Sequence, residues 1–164
     1  MNEKAVEPGN AALIRDLKDI ILQARLKVAQ SVDSALVILY WRIGRRIQDD
    51  ILKQERAAYG EEIVTTLSQQ LTAEYGRGFA RYNLARLIQF AEVFPDEQIV
   101  ATLSQDLSWS HFVQLLPLKD RLKQEFYAEM ARVERWSVRT LRAKMDSMLF
   151  ERTALSRKPD NLIA

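Results

Sequence analysis

The sequence predicts an all-α domain of about seven or eight helices, and three features of its 164 residues support this prediction. Apolar residues recur at three- and four-residue steps, and no stretch alternates apolar and polar residues as a half-buried strand would. The chain contains only five glycines and four prolines, so few positions interrupt a helix. Ser, Asp or Asn stands before several of the periodic segments, where a helix N-cap is expected.

Two helices are predicted in the N-terminal third of the chain. The first is capped by Asn10. Its apolar stripe comprises Leu13, Leu17, Ile20, Ile21, Ala24 and Val28. The second begins at Asp33 or Ser34 and ends near Gly60. Gly44 lies inside this helix, where glycine costs about 1 kcal/mol relative to alanine, and a close crossing by another helix would explain it.

Shorter helices are predicted for the rest of the chain. A third helix runs from about Glu61 to Tyr75, and a fourth from Phe79 to Phe94, where Pro95 stops it. Further helices are expected around residues 97–105, 108–116 and 119–134, and Ser137 caps the last one. We expect a flexible N-terminus (residues 1–9), a helical domain (10–152) and a mobile tail or linker (153–164).

Composition excludes several classes of function. The absence of cysteine rules out a disulfide framework and a thiolate zinc site. His111 is the only histidine, so no multi-histidine metal site exists, and we expect a structural role for it. The longest apolar run, Ala35 to Trp41, is too short to span a membrane, and the N-terminus lacks a signal-peptide pattern. We therefore expect a soluble cytoplasmic protein without membrane association, cofactor, metal or catalytic residue.

The stretch "GRGF" (Gly76 to Phe79) allows two interpretations. A phosphate-binding loop needs a preceding strand and a longer glycine motif, and neither is present. The alternative is a corner between two helices, in which Gly76 supplies a left-handed cap and Gly78 relieves the turn. We favour the corner, because helix, short glycine-containing turn and helix is the sequence form of a helix-turn-helix.

The helix after this corner has two different faces on a helical wheel. Its core stripe comprises Ala80, Leu84, Leu87, Ile88 and Ala91. Tyr82, Arg86 and Gln89 lie opposite, with Asn83 and Arg81 on the flanks. Arg77 precedes the helix, and no acidic residue occurs between Tyr75 and Ala91. Such a face suits a recognition helix, but an ordinary solvated face fits the pattern nearly as well.

A second basic segment lies near the C-terminus, between Arg132 and Lys158. Together with Arg42, Arg45 and Arg46 it would extend a phosphate-binding surface, although we favour local ion pairing on helix surfaces as the explanation of each charge taken alone. The candidate nucleic-acid-binding residues are Arg77, Arg81, Tyr82, Asn83, Arg86, Gln89, Arg139 and Arg142. A homodimer is also expected, with a surface around Trp41 and Gly44.

Five blocks of sequence resemble one known family. They are "YWRIGRRI" from Tyr40, the segment from Tyr59 to Pro95, "LSWSHFVQLL" from Leu107, "FYAEMA" from Phe126, and "WSVRTLRAKMDSMLFERTALS" from Trp136. They are similar to the N-terminal domain of YhcG-like bacterial proteins, in which a helical region precedes a PD-(D/E)XK-type nuclease domain. The resemblance implies a helix-turn-helix-like, DNA-binding domain, with the catalytic carboxylates and lysine in a nuclease domain that follows it.

The residues and the resemblance together predict a DNA-binding or targeting module of a nuclease system, without catalytic activity of its own. Its partners would be DNA and a PD-(D/E)XK nuclease domain, in cis or in trans. The alternative is a protein–protein interaction or dimerisation module that does not bind nucleic acid directly.

Overall fold

The computed structural model describes residues 8–54 and 58–157, and these ranges contain eight α-helices, one 3-10 turn and no strand. The all-α prediction is therefore confirmed. The helices are α1 (Pro8–Lys53), α2 (Tyr59–Tyr75), α3 (Arg81–Val93), α4 (Glu97–Leu103), α5 (Trp109–Leu115), α6 (Arg121–Val133), α7 (Val138–Asp146) and α8 (Leu149–Arg157). The 3-10 turn (Arg77–Phe79) joins α2 to α3.

The first two predicted helices are one continuous helix, so the predicted break at Asp33 or Ser34 is wrong. α1 runs for 46 residues from Pro8, and Asn10 lies inside it instead of capping it. No glycine or proline stands between residues 10 and 43, so nothing in the backbone forces an interruption. The hydroxyl of Ser34 contacts that of Ser104 at 2.8 Å, which fixes the helix against the end of α4.

The C-terminal half of α1 crosses α3 at very short range, which confirms the explanation predicted for Gly44. A Cβ atom added to Gly44 would lie 1.9 Å from the carbonyl oxygen of Leu87. Only a residue without a side chain permits this approach of the two backbones. α3 therefore lies directly against α1, and its buried residues occupy the centre of the domain.

An aromatic cluster forms the larger of two hydrophobic cores. The Phe90 ring lies 4.9 Å from that of Phe112 and 5.1 Å from that of Trp109, measured between ring centroids. Trp41 is buried and its indole N–H donates to the carbonyl of Phe94 at 2.6 Å. Trp41 therefore anchors this core, and Trp109 packs at the cluster's edge. Because Trp41 and Gly44 face inward, they do not form the dimer surface predicted from the sequence.

Helix caps and one buried histidine position the C-terminal helices. Asp96, Asp120 and Ser137 each accept a backbone N–H at the start of α4, α6 and α7, as expected for Pro95–Asp96 and Ser137. His111 is buried in α5, where Nδ1 accepts the Ser108 N–H at 3.1 Å and Nε2 lies 2.7 Å from the Trp136 carbonyl. With Nδ1 as acceptor, Nε2 carries the proton and donates, so the histidine is structural as predicted.

At 46 residues, α1 is longer than a membrane-spanning helix needs to be. None of the helices within the described ranges combines the length and the apolar content that a membrane span requires.

Candidate nucleic-acid interface

The corner between α2 and α3 begins at a strained glycine. Gly76 has φ 95° and ψ −168°, and its N–H donates to the carbonyl of Thr72 at 2.9 Å. This conformation is essentially restricted to glycine, although it is not the left-handed cap that the sequence suggested. Gly78 has no atom within 4 Å of an added Cβ, so the turn does not require glycine there. Because α2 precedes the corner where a phosphate loop needs a strand, "GRGF" is a corner between helices.

The two faces predicted for α3 are present in the structure. Leu84, Leu87 and Ala91 are buried, and Ala80 and Ile88 are half-buried, which confirms the core stripe. Phe90 is also fully buried and belongs to the same face. The opposite face carries no buried side chain, and Tyr82 there keeps 69% of its surface exposed.

Tyr82 and Arg86 form one unit on this exposed face. The Arg86 guanidinium carbon lies 4.6 Å from the centroid of the Tyr82 ring, and Arg86 donates a hydrogen bond to the Tyr82 hydroxyl. The two side chains stand one helical turn apart, so the backbone of α3 already brings them together. The stack orients the guanidinium of Arg86 while leaving its remaining N–H groups free to donate.

The other candidate residues of the corner and α3 differ in their exposure. Arg77, Arg81 and Gln89 are exposed or partly exposed, and Asn83 is half-buried. No side chain caps the N-terminus of α3, so its first N–H groups receive no acceptor from Ala80. Arg77 and Arg81 therefore lie where both the helix dipole and the arginine charges favour an anion.

α5 connects the face of α3 to the C-terminal candidates on α7. The Gln89 amide nitrogen donates to the carbonyl of Leu116 at 3.2 Å, just after the end of α5. The Arg142 Nε donates to the Gln114 side-chain oxygen at 3.3 Å. Gln89 and Arg142 are thus fixed to Leu116 and Gln114, which are only two positions apart in the sequence. Arg139 lies one turn before Arg142 on α7.

Several other arginines of the domain are ion-paired. Arg42 pairs with Glu97 at 2.8 Å, Arg45 with Asp49 at 3.4 Å and Arg46 with Asp50 at 3.8 Å. Arg132 pairs with Glu129. The local ion pairs that offered the alternative explanation are therefore present for Arg45, Arg46 and Arg132, whereas Arg42 pairs with a residue of α4. None of them extends the candidate surface as an unneutralised cation.

The candidate arginines have no such partners. Arg77, Arg81, Arg86, Arg139 and Arg142 make no ion pair with any carboxylate in the part of the chain that the structure describes. Cations without a protein counter-charge remain available for phosphate groups. Lys158, at the end of the second basic segment, lies outside the described residues.

Two features of this surface did not emerge from the sequence analysis. One is Gln114, which anchors Arg142 across 28 residues of chain and has no local signal. The other is the Tyr82–Arg86 stack, which the four-residue spacing would have indicated.

Comparison with known proteins identifies the domain. The family described as "DUF1016 N-terminal domain" matches residues 16–152. The chain belongs to the DUF1016 N-terminal domain family. It is also 28% identical over 187 aligned positions to the protein named "Putative nuclease YhcG" of Escherichia coli (strain K12). That alignment covers 93% of this chain and 50% of the relative, so the chain spans about half the relative's length. No solved structure matches it. The resemblance noted from the sequence is confirmed.

Proposed function

We propose that this domain is the DNA-binding or targeting module of a PD-(D/E)XK-type nuclease system and is not catalytic by itself. One observation carries the proposal above the others: five arginines on the corner, α3 and α7 lack carboxylate partners within the described residues, whereas five arginines elsewhere in the domain are paired. The name of the E. coli relative supplies the association with a nuclease.

Each candidate residue has a separate role in this proposal. Arg77 and Arg81 bind phosphates at the N-terminus of α3, where the helix dipole adds to their charge. Tyr82, Asn83, Arg86 and Gln89 face the bases or the sugar edge, and the Tyr82 ring holds Arg86 in position. Arg139 and Arg142 extend phosphate contacts along α7, connected to α3 through α5.

The nuclease partner belongs to the proposal too. The relative is about twice the length that the alignment covers, which leaves room there for a second domain. We place the catalytic carboxylates and lysine in such a domain, joined in cis or acting in trans. This chain then determines where the nuclease acts.

A protein–protein interaction module is the second candidate, and one observation favours it. Residues 11–33 of α1 are exposed throughout, although they include many large aliphatic side chains. Extended apolar surface on a protein is typical of a site for another polypeptide. The two functions are compatible, since the exposed helix and the arginine surface involve different residues.

Salt-titrated DNA binding tests the proposed function. The purified chain is titrated with fluorescent duplex, single-stranded and branched DNA between about 50 and 200 mM salt, a range over which counterion release changes affinity strongly. The four arginines assigned to phosphates, at about 0.9 each, predict a slope of about −3.6 of log affinity against log salt on duplex DNA. No measurable affinity for any of the three substrates at the lowest salt would refute the proposal.

A further inference from the structure

The first half of α1 leaves its apolar side chains uncovered, and it is tied to the domain by a hydrogen bond from the Gln30 side chain to the carbonyl of Gln105. Every residue from Ala11 to Asp33 is exposed, and we call residues 11–33 the α1 arm. Isolated helices gain little stability from propensity alone, and most helical stability in proteins comes from packing of an apolar face. An aliphatic-rich arm of this length therefore indicates a partner that is missing from the single chain.

Part of the arm's apolar residues follow a heptad repeat, and the large aliphatic residues outside its a and d positions are Leu13, Ile20, Leu22, Leu26 and Val32. Ile14, Ile21, Val28 and Ala35 occupy the a positions, and Leu17, Ala24 and Ser31 occupy the d positions. These three heptads extend about 32 Å along the helix at about 1.5 Å per residue. Three of the four a positions are β-branched, and β-branched residues at a favour two-stranded coiled coils. The pattern therefore fits one partner helix better than several.

The arm's own domain cannot cover this seam without bending α1. Where the helix meets the domain, Val37 and Trp41 face the core and are buried, while Ala35 and Leu39 are exposed. On a helical wheel the a and d positions lie on the side of Ala35 and Leu39, opposite Val37 and Trp41. A partner helix on the seam would have the globular domain behind α1, and no steric conflict arises.

The charges beside the seam favour parallel over antiparallel pairing of two copies of this chain. The e and g positions contain Lys18, Arg25 and Lys27 and no acidic residue. In a parallel, in-register pair, g residues face e residues of the next heptad, so Lys18 meets Leu13, Arg25 meets Ile20 and Lys27 meets Val32. No two cations meet, and the aliphatic stems of the long side chains cover apolar surface.

Antiparallel pairing gives the opposite result. With the same heptads overlapped, Arg25 faces Arg25 and Lys27 faces Lys27 of the second copy. A shift by one heptad brings Lys18 against Arg25. Like charges at these positions repel, so both antiparallel registers are disfavoured relative to the parallel one.

From these observations we infer that the α1 arm forms a parallel, in-register two-stranded coiled coil with the arm of a second copy of this chain. The inference does not depend on DNA binding, because none of the arginines of the candidate interface lies in the arm. The two globular domains then lie on the outer sides of the coiled coil, each presenting its own α3 face.

Light scattering on size-exclusion fractions, without DNA, tests the pairing. The wild-type chain is expected at twice its 19.0 kDa mass at about 50–100 μM, and at lower mass on dilution. Ile21→Glu with Val28→Glu places four carboxylates in the dimer seam and should give the monomer mass. The matched control is Leu22→Glu with Leu26→Glu, which adds the same charge at equally exposed aliphatic residues (52% and 55%) outside the seam. This control should remain dimeric.

Orientation is tested with one introduced cysteine, since the chain contains none of its own. Leu17→Cys is expected to give a disulfide-linked dimer under mild oxidation, because the two Leu17 positions meet in a parallel pair. In a fully overlapped antiparallel pair, Leu17 of one copy faces Ala35 of the second copy. The Leu17 of that second copy lies about 27 Å further along the helix, too far away for a disulfide. Failure of Leu17→Cys to cross-link in a dimeric protein would overturn the parallel orientation.

Three other outcomes would overturn the pairing itself. They are a monomeric wild type at high micromolar concentration, dimers that survive Ile21→Glu with Val28→Glu, and dissociation by both double variants alike. A monomeric wild type would assign the arm to a different polypeptide. Circular dichroism and melting temperature should be nearly unchanged in the control variant, because Leu22 and Leu26 are exposed and lie outside the seam. Loss of pairing in Ile21→Glu with Val28→Glu should lower the helical signal of the arm and leave the globular domain folded.

Discussion

At the scale of single residues, the Tyr82–Arg86 stack is the most specific feature of the candidate interface. Tyr82→Ala removes the ring under the Arg86 guanidinium, and we expect DNA affinity to fall by the equivalent of about 1–3 kcal/mol. Tyr82→Phe keeps the ring and removes only the hydroxyl that accepts from Arg86, so most of the affinity should remain. Affinities at one fixed salt concentration compare the three proteins. Equal binding by wild type and Tyr82→Ala would exclude a role for the stack.

Gly44 provides a residue-scale test of the fold. Gly44→Ala places a methyl group 1.9 Å from the Leu87 carbonyl oxygen, and two helix backbones must separate to admit it. We expect a loss of about 3 kcal/mol or more in the free energy of unfolding, at the upper end of overpacking effects. Gly60→Ala is the control, because its Cβ would contact only Ile51 at 3.6 Å or more. Urea unfolding should show Gly60→Ala close to wild type, and equal losses for the two variants would contradict the crossing.

At the scale of elements, α3 shows what the sequence predicts well. Its core stripe, its end at Val93 before Phe94 and Pro95, and the caps at Asp96 and Ser137 follow from local periodicity and local hydrogen bonding. These features depend on residues within one or two turns of each other, so the sequence contains the necessary information.

α1 shows what local patterns do not predict. Asp33 and Ser34 are good caps, yet the helix continues through them, and the Ser34–Ser104 contact holds it against the end of α4. The period of the stripe from Leu13 to Val28 indicates an apolar face, but periodicity does not say which partner covers that face. For the candidate interface the sequence predicted the exposed face of α3 correctly, whereas the Gln89–Leu116 and Arg142–Gln114 contacts depend on tertiary packing.

The ion pair between α6 and α8 makes stability depend on pH. Lys123 Nζ lies 2.6 Å from the Glu151 carboxylate. This hydrogen bond lowers the pKa of Glu151 and raises the pKa of Lys123. The contribution of Glu151 to stability is therefore present above its unfolded pKa of about 4.3, and it is lost as pH falls through the lower pKa of the folded state. On the alkaline side, the contribution of Lys123 is lost as pH rises through its raised pKa.

Glu151→Gln tests this linkage. At pH 7 the variant should melt below wild type. The difference should shrink as pH falls through the lowered pKa of Glu151, because the wild-type carboxylate then also becomes neutral. Glu125→Gln is the control. It removes an exposed ion pair with Arg121 on α6, the helix that also carries Lys123, and should change the melting temperature little. A difference between Glu151→Gln and wild type that stays constant as pH falls from 7 through the lowered pKa of Glu151 would contradict an electrostatic contribution.

At the scale of the whole molecule, the proposal separates targeting from cleavage. The chain covers only half of its E. coli relative, and we assign the catalytic groups to the other half. The isolated chain should therefore leave plasmid and linear DNA intact with Mg²⁺ or Mn²⁺, even at high protein concentration, as measured on agarose gels. Cleavage that persists through purification and stops on substitution of one of its own acidic residues would overturn this assignment.

The central claim is that the arginines without carboxylate partners bind DNA, and one double variant tests it most directly. Arg81→Ala with Arg86→Ala removes two of the proposed DNA-binding side chains, whereas Arg42→Ala with Arg121→Ala removes two arginines that pair with Glu97 and Glu125. Both variants have the same net charge, and all four side chains lie outside the buried core. The measurement is duplex affinity as a function of salt, with circular dichroism to verify the fold.

We predict that Arg81→Ala with Arg86→Ala weakens binding strongly. The log–log salt slope should flatten by about 0.9, because Arg81 no longer neutralises a phosphate, whereas the loss of Arg86 removes a base contact. The control variant should keep the wild-type slope and nearly the wild-type affinity. Unchanged affinity and slope in Arg81→Ala with Arg86→Ala would show that α3 does not contact DNA, and the corner before it would then have only a structural role.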